Sequence, residues 1–263
     1  MRVVVIGGHG RTGIEIVKQL VAQGDKVVAT IRNPRHMADL VKAGAETWVL
    51  DLEKSTGPEF GMVMVGADAV VFAAGSGEDD ENSDIDRTGT LKTVRAAKKA
   101  GAMRYISVSA LGATTPTPDK WLDSQLMKNY YKAKKAANKH VRDSGLDWTI
   151  IEPGELTNGK LTGKVTLAQD GVEPGKISRA DVAAVVVAAL ATPSSKGHIF
   201  QVIGGKTPVL DAVAKESGKP APEVKPAKKA VAKKAPAKKA TAKKAPVKKT
   251  AAKKAAKKAA AKK

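Results

Sequence analysis

No cysteine occurs in the 263 residues. That excludes disulfides, a thiolate nucleophile and cysteine-ligated metal, and it suits a reducing compartment. The four histidines are scattered without ligand spacing, so no metal site is expected. The longest apolar run, 182–191, is too short to cross a bilayer, which takes about 20 residues. A strand pattern starting at residue 3 leaves no place for a cleavable leader, and the expectation is a cytoplasmic protein. Acidic residues are missing from one region altogether: between Lys225 and Lys263 there are 17 lysines and no Asp or Glu. The other 29 of the 46 basic residues face all 26 acidic ones in the first 224 positions, so the body is nearly neutral and 17 of the net +20 charges sit in the tail.

The body opens on Val3-Val4-Val5-Ile6, an apolar, β-branched run suited to a buried parallel strand. Gly7-Gly8-His9-Gly10-Arg11-Thr12-Gly13 follows at once, with Gly7, Gly10 and Gly13 spaced three apart. Ile14, Ile16, Val17, Leu20 and Val21 then recur at helical intervals. Glycines there let the chain turn sharply and bring its backbone against a pyrophosphate. The helix behind them offers free N–H groups and a positive dipole end. A second strand over 26–31 completes a βαβ unit, which raises the glycine spacing to a dinucleotide site.

Strands are expected near 2–6, 26–31, 46–50, 68–74, 103–108, 147–152 and 198–203, and helices near 11–23, 34–43, 84–100, 124–144, 178–191 and 208–217. Their alternation predicts an α/β fold, a doubly wound parallel sheet of Rossmann type in one domain over 1–217. The remainder, 218–263, is expected to be a disordered tail. Pro220, Pro222 and Pro226 lead into lysine pairs separated by Ala, Val, Thr and Pro, too little apolar surface to offset the entropy of ordering.

The end of the second strand reads Ala29-Thr30-Ile31-Arg32-Asn33, without the acid that normally binds ribose hydroxyls in NAD sites. Arg32, with Arg11 or Arg35, can pair with a 2′-phosphate, so NADP(H) is expected over NAD. Asp51-Leu52 after the third strand offers an acceptor for the adenine amino group, and Ala73-Ala74-Gly75 lets a cofactor lie against the fourth. Ser109 ends the fifth strand, and Tyr130-Tyr131-Lys132-Ala133-Lys134-Lys135 follows on a helix. Tyrosine and lysine four apart share a face. The ammonium favours tyrosinate and lets the phenol exchange a proton with a carbonyl or alcohol. Two registers are open, Tyr130/Lys134 and Tyr131/Lys135. The run Glu78-Asp79-Asp80-Glu81 with Asp84 and Asp86 reads as a solvated acidic loop.

As a set, the glycine turn, Asp51-Leu52, Ala73-Ala74-Gly75, Ser109, Tyr130 with Lys134, Pro153-Gly154, Ile177–Ala183 and Gly204-Gly205 resemble the short-chain dehydrogenase/reductase superfamily, in its atypical, NmrA-like NAD(P)-binding branch. The resemblance spans nearly all of 1–216. It implies an oxidoreductase acting on a small-molecule substrate, with nicotinamide near Pro153-Gly154, Tyr130 as acid/base and Lys134 as its helper. Glu152 departs from that branch, which often has arginine before Pro-Gly. The tail resembles those of linker histones. A disordered polycation binds duplex phosphate by releasing counterions, so nucleic acid is the expected partner of Lys225 to Lys263, at the nucleoid.

Overall fold

The first strand, β1 (Arg2–Ile6), sends Val3 and Val5 into one core and Val4 and Ile6 into a second, and all four are fully buried. Alternation with both faces apolar is what a strand covered on both sides requires. The computed structural model of the chain describes residues 1–75, 85–115 and 117–218. Within them β2 (Lys26–Ile31), β3 (Glu46–Val49), β4 (Ala69–Phe72), β5 (Arg104–Val108), β6 (Asp147–Pro153) and β10 (His198–Gly204) join β1 in parallel, in the order β3-β2-β1-β4-β5-β6-β10. This is the doubly wound Rossmann-type sheet expected from the sequence.

Helices cover both faces. On one side α1 (Gly13–Gln23) packs on α6 (Arg179–Ala191), which packs on α7 (Val209–Glu216). On the other α3 (Gly57–Met64) packs on α4 (Thr90–Ala100), and α4 on α5 (Gln125–Arg142). The short α2 (Met37–Lys42) lies by the edge strand β3. α6 has ten of its thirteen residues buried, which explains why it reads as apolar all round.

Several elements were not anticipated. α3 carries two glycines that weaken its helical pattern, but Thr56 and Glu59 form a capping box at its head. β8 (Lys164–Ala168) and β11 (Thr207–Pro208) extend the sheet antiparallel beyond β10. β7 (Glu155–Thr157) and β9 (Lys176–Ser178) form a separate parallel pair. The expected helix over 84–100 begins instead with a π-helical turn, Ile85–Gly89. The tail lies outside the described residues. No described helix is long and apolar enough to cross a membrane.

At the amino end of the sheet Arg104 ties four segments together. Its guanidinium donates to the Asp147 carbonyl at 2.7 Å, Thr149 Oγ1 at 2.8 Å, the Ala189 carbonyl at 2.9 Å and Ser195 Oγ at 2.7 Å. Burial pulls it down to about 10, against the nearby Asp147 charge, so it stays a cation at working pH. This end is fastened, and the opposite end carries the openings.

Candidate active site

β1 and β4 are neighbours, yet the chain leaves β1 toward β2 and β3, and β4 toward β5 and β6. At such a switch the connections part and a crevice opens at the carboxyl ends of the strands. A groove of about 690 Å³ lies there, beside a larger cavity of about 970 Å³. Arg11, Ser109, Tyr130, Leu156 and Arg179 line both, so the two meet along that wall.

The glycine turn forms the groove's near side. Gly7 has a φ of +77°, and a Cβ on it would fall 2.8 Å from Ala74 Cα. At Gly13 a Cβ would fall 2.2 Å from the Gly7 carbonyl oxygen, so helix and turn close only on glycine. Thr30 pins the turn, accepting the Gly7 N–H on Oγ1 at 3.1 Å and the Gly8 N–H on its carbonyl at 2.9 Å. A lone hydroxyl inside an apolar strand was the available sign of it.

Gly7, Gly10, Arg11, Thr12, Arg32, Asp51, Leu52, Ala73, Ala74 and Gly75 all line the groove. Gly13 packs behind it, and Pro153 and Gly154 line the larger cavity. Of the three candidate arginines, Arg11 and Arg32 face the groove and Arg35 is not in its lining. His9 and His36 line it too, their rings stacked 3.9 Å apart with His9 Nε2 3.0 Å from Asp39 Oδ2. Burial works against the Asp51 carboxylate. The Glu53 and Lys54 amides, with the Lys54 and Arg32 charges, outweigh it and hold Asp51 below the usual aspartate range.

The two tyrosines of the candidate registers stand in different surroundings. Tyr131 is buried, and its hydroxyl donates to the Leu111 carbonyl at 3.1 Å, while Lys135 is exposed. Tyr130 lies at the junction of the cavities, its ring centroid 5.6 Å from Nζ of buried Lys134. Ser109 Oγ is buried without a hydrogen-bond partner among the described residues, at that same junction. Trp121 stacks on Tyr131 and lines the larger cavity, while Trp148 packs on the core.

Two charged residues stand differently from expectation. Asp86 is not part of a solvated loop: it is buried and pairs with Lys134 at 2.8 Å. The other acids of that run, 78–81 and 84, lie outside the described residues. Glu152 is fully buried behind Pro153 and lines neither cavity, accepting Thr114 Oγ1 at 2.5 Å and Asn138 Nδ2 at 2.9 Å on Oε1. Burial pushes its carboxyl up to about 7 against hydrogen bonding from the Thr114 side chain and backbone, Asn138 and Gln201. Arg179, which also faces both cavities, entered the sequence reading only as part of the 177–183 motif and not as a site residue, although a cation heading an apolar helix was its signal. Among the described residues, no group of His, Asp and Glu is arranged to hold a metal.

The fold is that of a nucleotide-binding class. The model of the NAD(P)H-binding family matches residues 7–193, and the chain belongs to that family. A Bacillus subtilis protein described as an uncharacterized sugar epimerase is 38% identical over 219 residues, covering 82% of this chain and 100% of the relative. A solved Bacillus halodurans structure, provisionally assigned as an NAD-dependent epimerase/dehydratase, is 35% identical with a TM-score of 0.74, covering 82% of this chain and 99% of that one. An NAD(P)H azoreductase from Xenophilus azovorans is 25% identical over 233 residues, covering 83% of this chain and 74% of the relative.

Proposed function

We propose that the protein is an NADP(H)-dependent reductase acting on a small carbonyl, quinone or flavin-like acceptor in the larger cavity. The observation that carries this reading is the shared wall. A buried, unpartnered serine hydroxyl and a tyrosine stand where a groove sized for a dinucleotide meets a second cavity lined by Leu111, Trp121, Met127 and Tyr131. An orphaned buried hydroxyl is costly unless a ligand satisfies it, which fits an acceptor oxygen there.

Gly7, Gly10 and Thr12 would hold the pyrophosphate at the head of α1, with Asp51 and Leu52 at the adenine and Arg32 at the 2′-phosphate. Bound NADPH supplies two electrons as hydride. Ser109 Oγ donates to the acceptor oxygen and orients it, and Tyr130 Oη gives that oxygen the proton that completes its reduction. Arg32 in place of an acid at the end of β2 favours NADP(H) over NAD. The test is NADPH and NADH oxidation, in parallel, against a panel of quinones, flavins, aldehydes, ketones and azo dyes. Turnover with one acceptor, faster with NADPH, is expected. Tight NADPH binding without turnover across the panel would mark a nucleotide sensor instead.

The tail, 218–263, adds non-specific binding of duplex DNA that would keep the enzyme at the nucleoid. The seventeen lysines without an acid from Lys225 to Lys263 support it. With about ten lysines engaged, log K should fall against log salt with a slope near −9. A 1–218 truncation should lose this affinity, and retained DNA binding by the truncated body would refute the assignment.

A further inference from the structure

Asp86 lines neither cavity, yet it pairs with Lys134, whose Nζ stands 5.6 Å from the centroid of the Tyr130 ring. The π-helical turn Ile85–Gly89 brings it to the interior, and such one-turn widenings recur at functional sites. Its side chain is 2% exposed and that of Lys134 is 8% exposed, with the ion pair at 2.8 Å. The end of β4 closes over the pair: a Cβ on Gly75 would lie 3.3 Å from Asp86 Oδ1 and 3.7 Å from Lys134 Nζ. Three segments distant in sequence thus converge on one buried charge pair.

Burial alone would draw the Lys134 ammonium downward. Asp86 overrides it and holds the ammonium well above the ordinary lysine range, with the nearby phenol adding to the same direction. The pair is close to neutral as a unit. An isolated ammonium beside a phenol draws the phenol toward tyrosinate, and a neutralised one does so far less. We infer that Asp86 is a positioning residue that fixes Lys134 and cancels its field, keeping the Tyr130 phenol protonated and setting the site to give a proton rather than take one. This rests on Tyr130 being the proton donor proposed above, and it assigns the direction of the reaction: a protonated phenol serves reduction, whereas tyrosinate serves oxidation. The other charged or titratable groups on the two cavity walls are Arg11 on the glycine turn, Arg179 at the head of α6, Lys120 and Asp123 before α5, Glu155 and Lys176 on β7 and β9, and His9, Arg32, His36 and Asp51 along the groove, all unaltered by a change at position 86.

The test reads the phenol directly. The chain has three tyrosines, so a ring-labelled (¹³Cζ) tyrosine NMR spectrum carries three lines, with Tyr130 assigned from Tyr130→Phe. Asp86→Asn keeps the size and an acceptor for the ammonium while removing the negative charge. The Tyr130 titration should move down by about one pH unit or more. The rising limb of substrate-alcohol oxidation with NADP⁺ should move with it. Well-dispersed tyrosine lines report that the variant is folded, and Asp86→Ala carries the same expectation should the amide not be accommodated. A Tyr130 titration that stays in place or moves upward overturns the inference. If Tyr130→Phe turns over like the wild type, the catalytic reading fails, whatever the titration shows.

Discussion

Tyr130→Phe is expected to cut acceptor reduction by about 10²–10⁴-fold, the usual worth of a positioned general acid, while NADPH binds as before. The substitution removes one oxygen. The ring keeps its edge contact with Tyr131, 5.4 Å between centroids, and its place beside Lys134. Little of the groove depends on the hydroxyl, since the glycine turn, Thr30 and the residues at the ends of β2 to β4 make up most of its lining. Loss should therefore fall on kcat, with little effect on the Kd for NADPH measured by fluorescence. Tyr131→Phe provides the contrast. Its hydroxyl is committed to the Leu111 carbonyl, so the variant should lose stability before it loses chemistry. Equal activity of Tyr130→Phe and the wild type would remove the tyrosine from the mechanism.

The second large effect is expected at Glu152, where the variant gains stability. The ordinary glutamate value is 4.5, and in the folded protein burial raises it to about 7. The folded state thus holds the proton more tightly than the unfolded chain. The stability it contributes is fully present below pH 4.5 and is lost as pH rises through about 7. A shift of that size corresponds to about 3 kcal/mol. Glu152→Gln mimics the protonated side chain and keeps acceptor Oε1 for Thr114 and Asn138. At pH 8 the variant should be more stable than the wild type by about that amount, or roughly 6–10 °C in Tm for a body of this size. Near pH 4.5 the two should converge. Comparing the variants cancels the acid-side loss from carboxylates held low, such as Asp51. A Tm difference that is the same at pH 5 and pH 8 would rule the explanation out.

The groove was far more legible in the sequence than the catalytic surroundings, for a physical reason. Phosphate binding uses backbone, and backbone approach imposes glycine at fixed spacing next to a strand, as at Gly7, Gly10 and Gly13. The strands that build this edge are buried on both faces, so their apolar runs stand out. Asp86 was misread because its neighbours in sequence are acidic, and only the contact with Lys134, 48 positions on, separates it from them. Glu152 sits in a run of core residues where chain order alone cannot distinguish a buried carboxyl from one facing a cavity. β8 alternates cleanly, with Val165 and Leu167 inward, but a run of five residues is too short to announce a strand. The helix α3 went unread for a related reason, because its two glycines hid its body while the capping box of Thr56 and Glu59 shows only in the structure.

The shared wall between the cavities has a consequence for how such a chain diversifies. Among the described residues, Arg11 is the one member of the larger cavity's lining drawn from the first hundred positions, and the rest come from 109–179. Nucleotide choice, by contrast, is written mainly before position 76. The two specificities are inherited on separate stretches of chain. Loops after residue 108 can be exchanged to accept a different molecule while the coenzyme half remains intact, which makes the protein a natural acceptor for grafted substrate pockets.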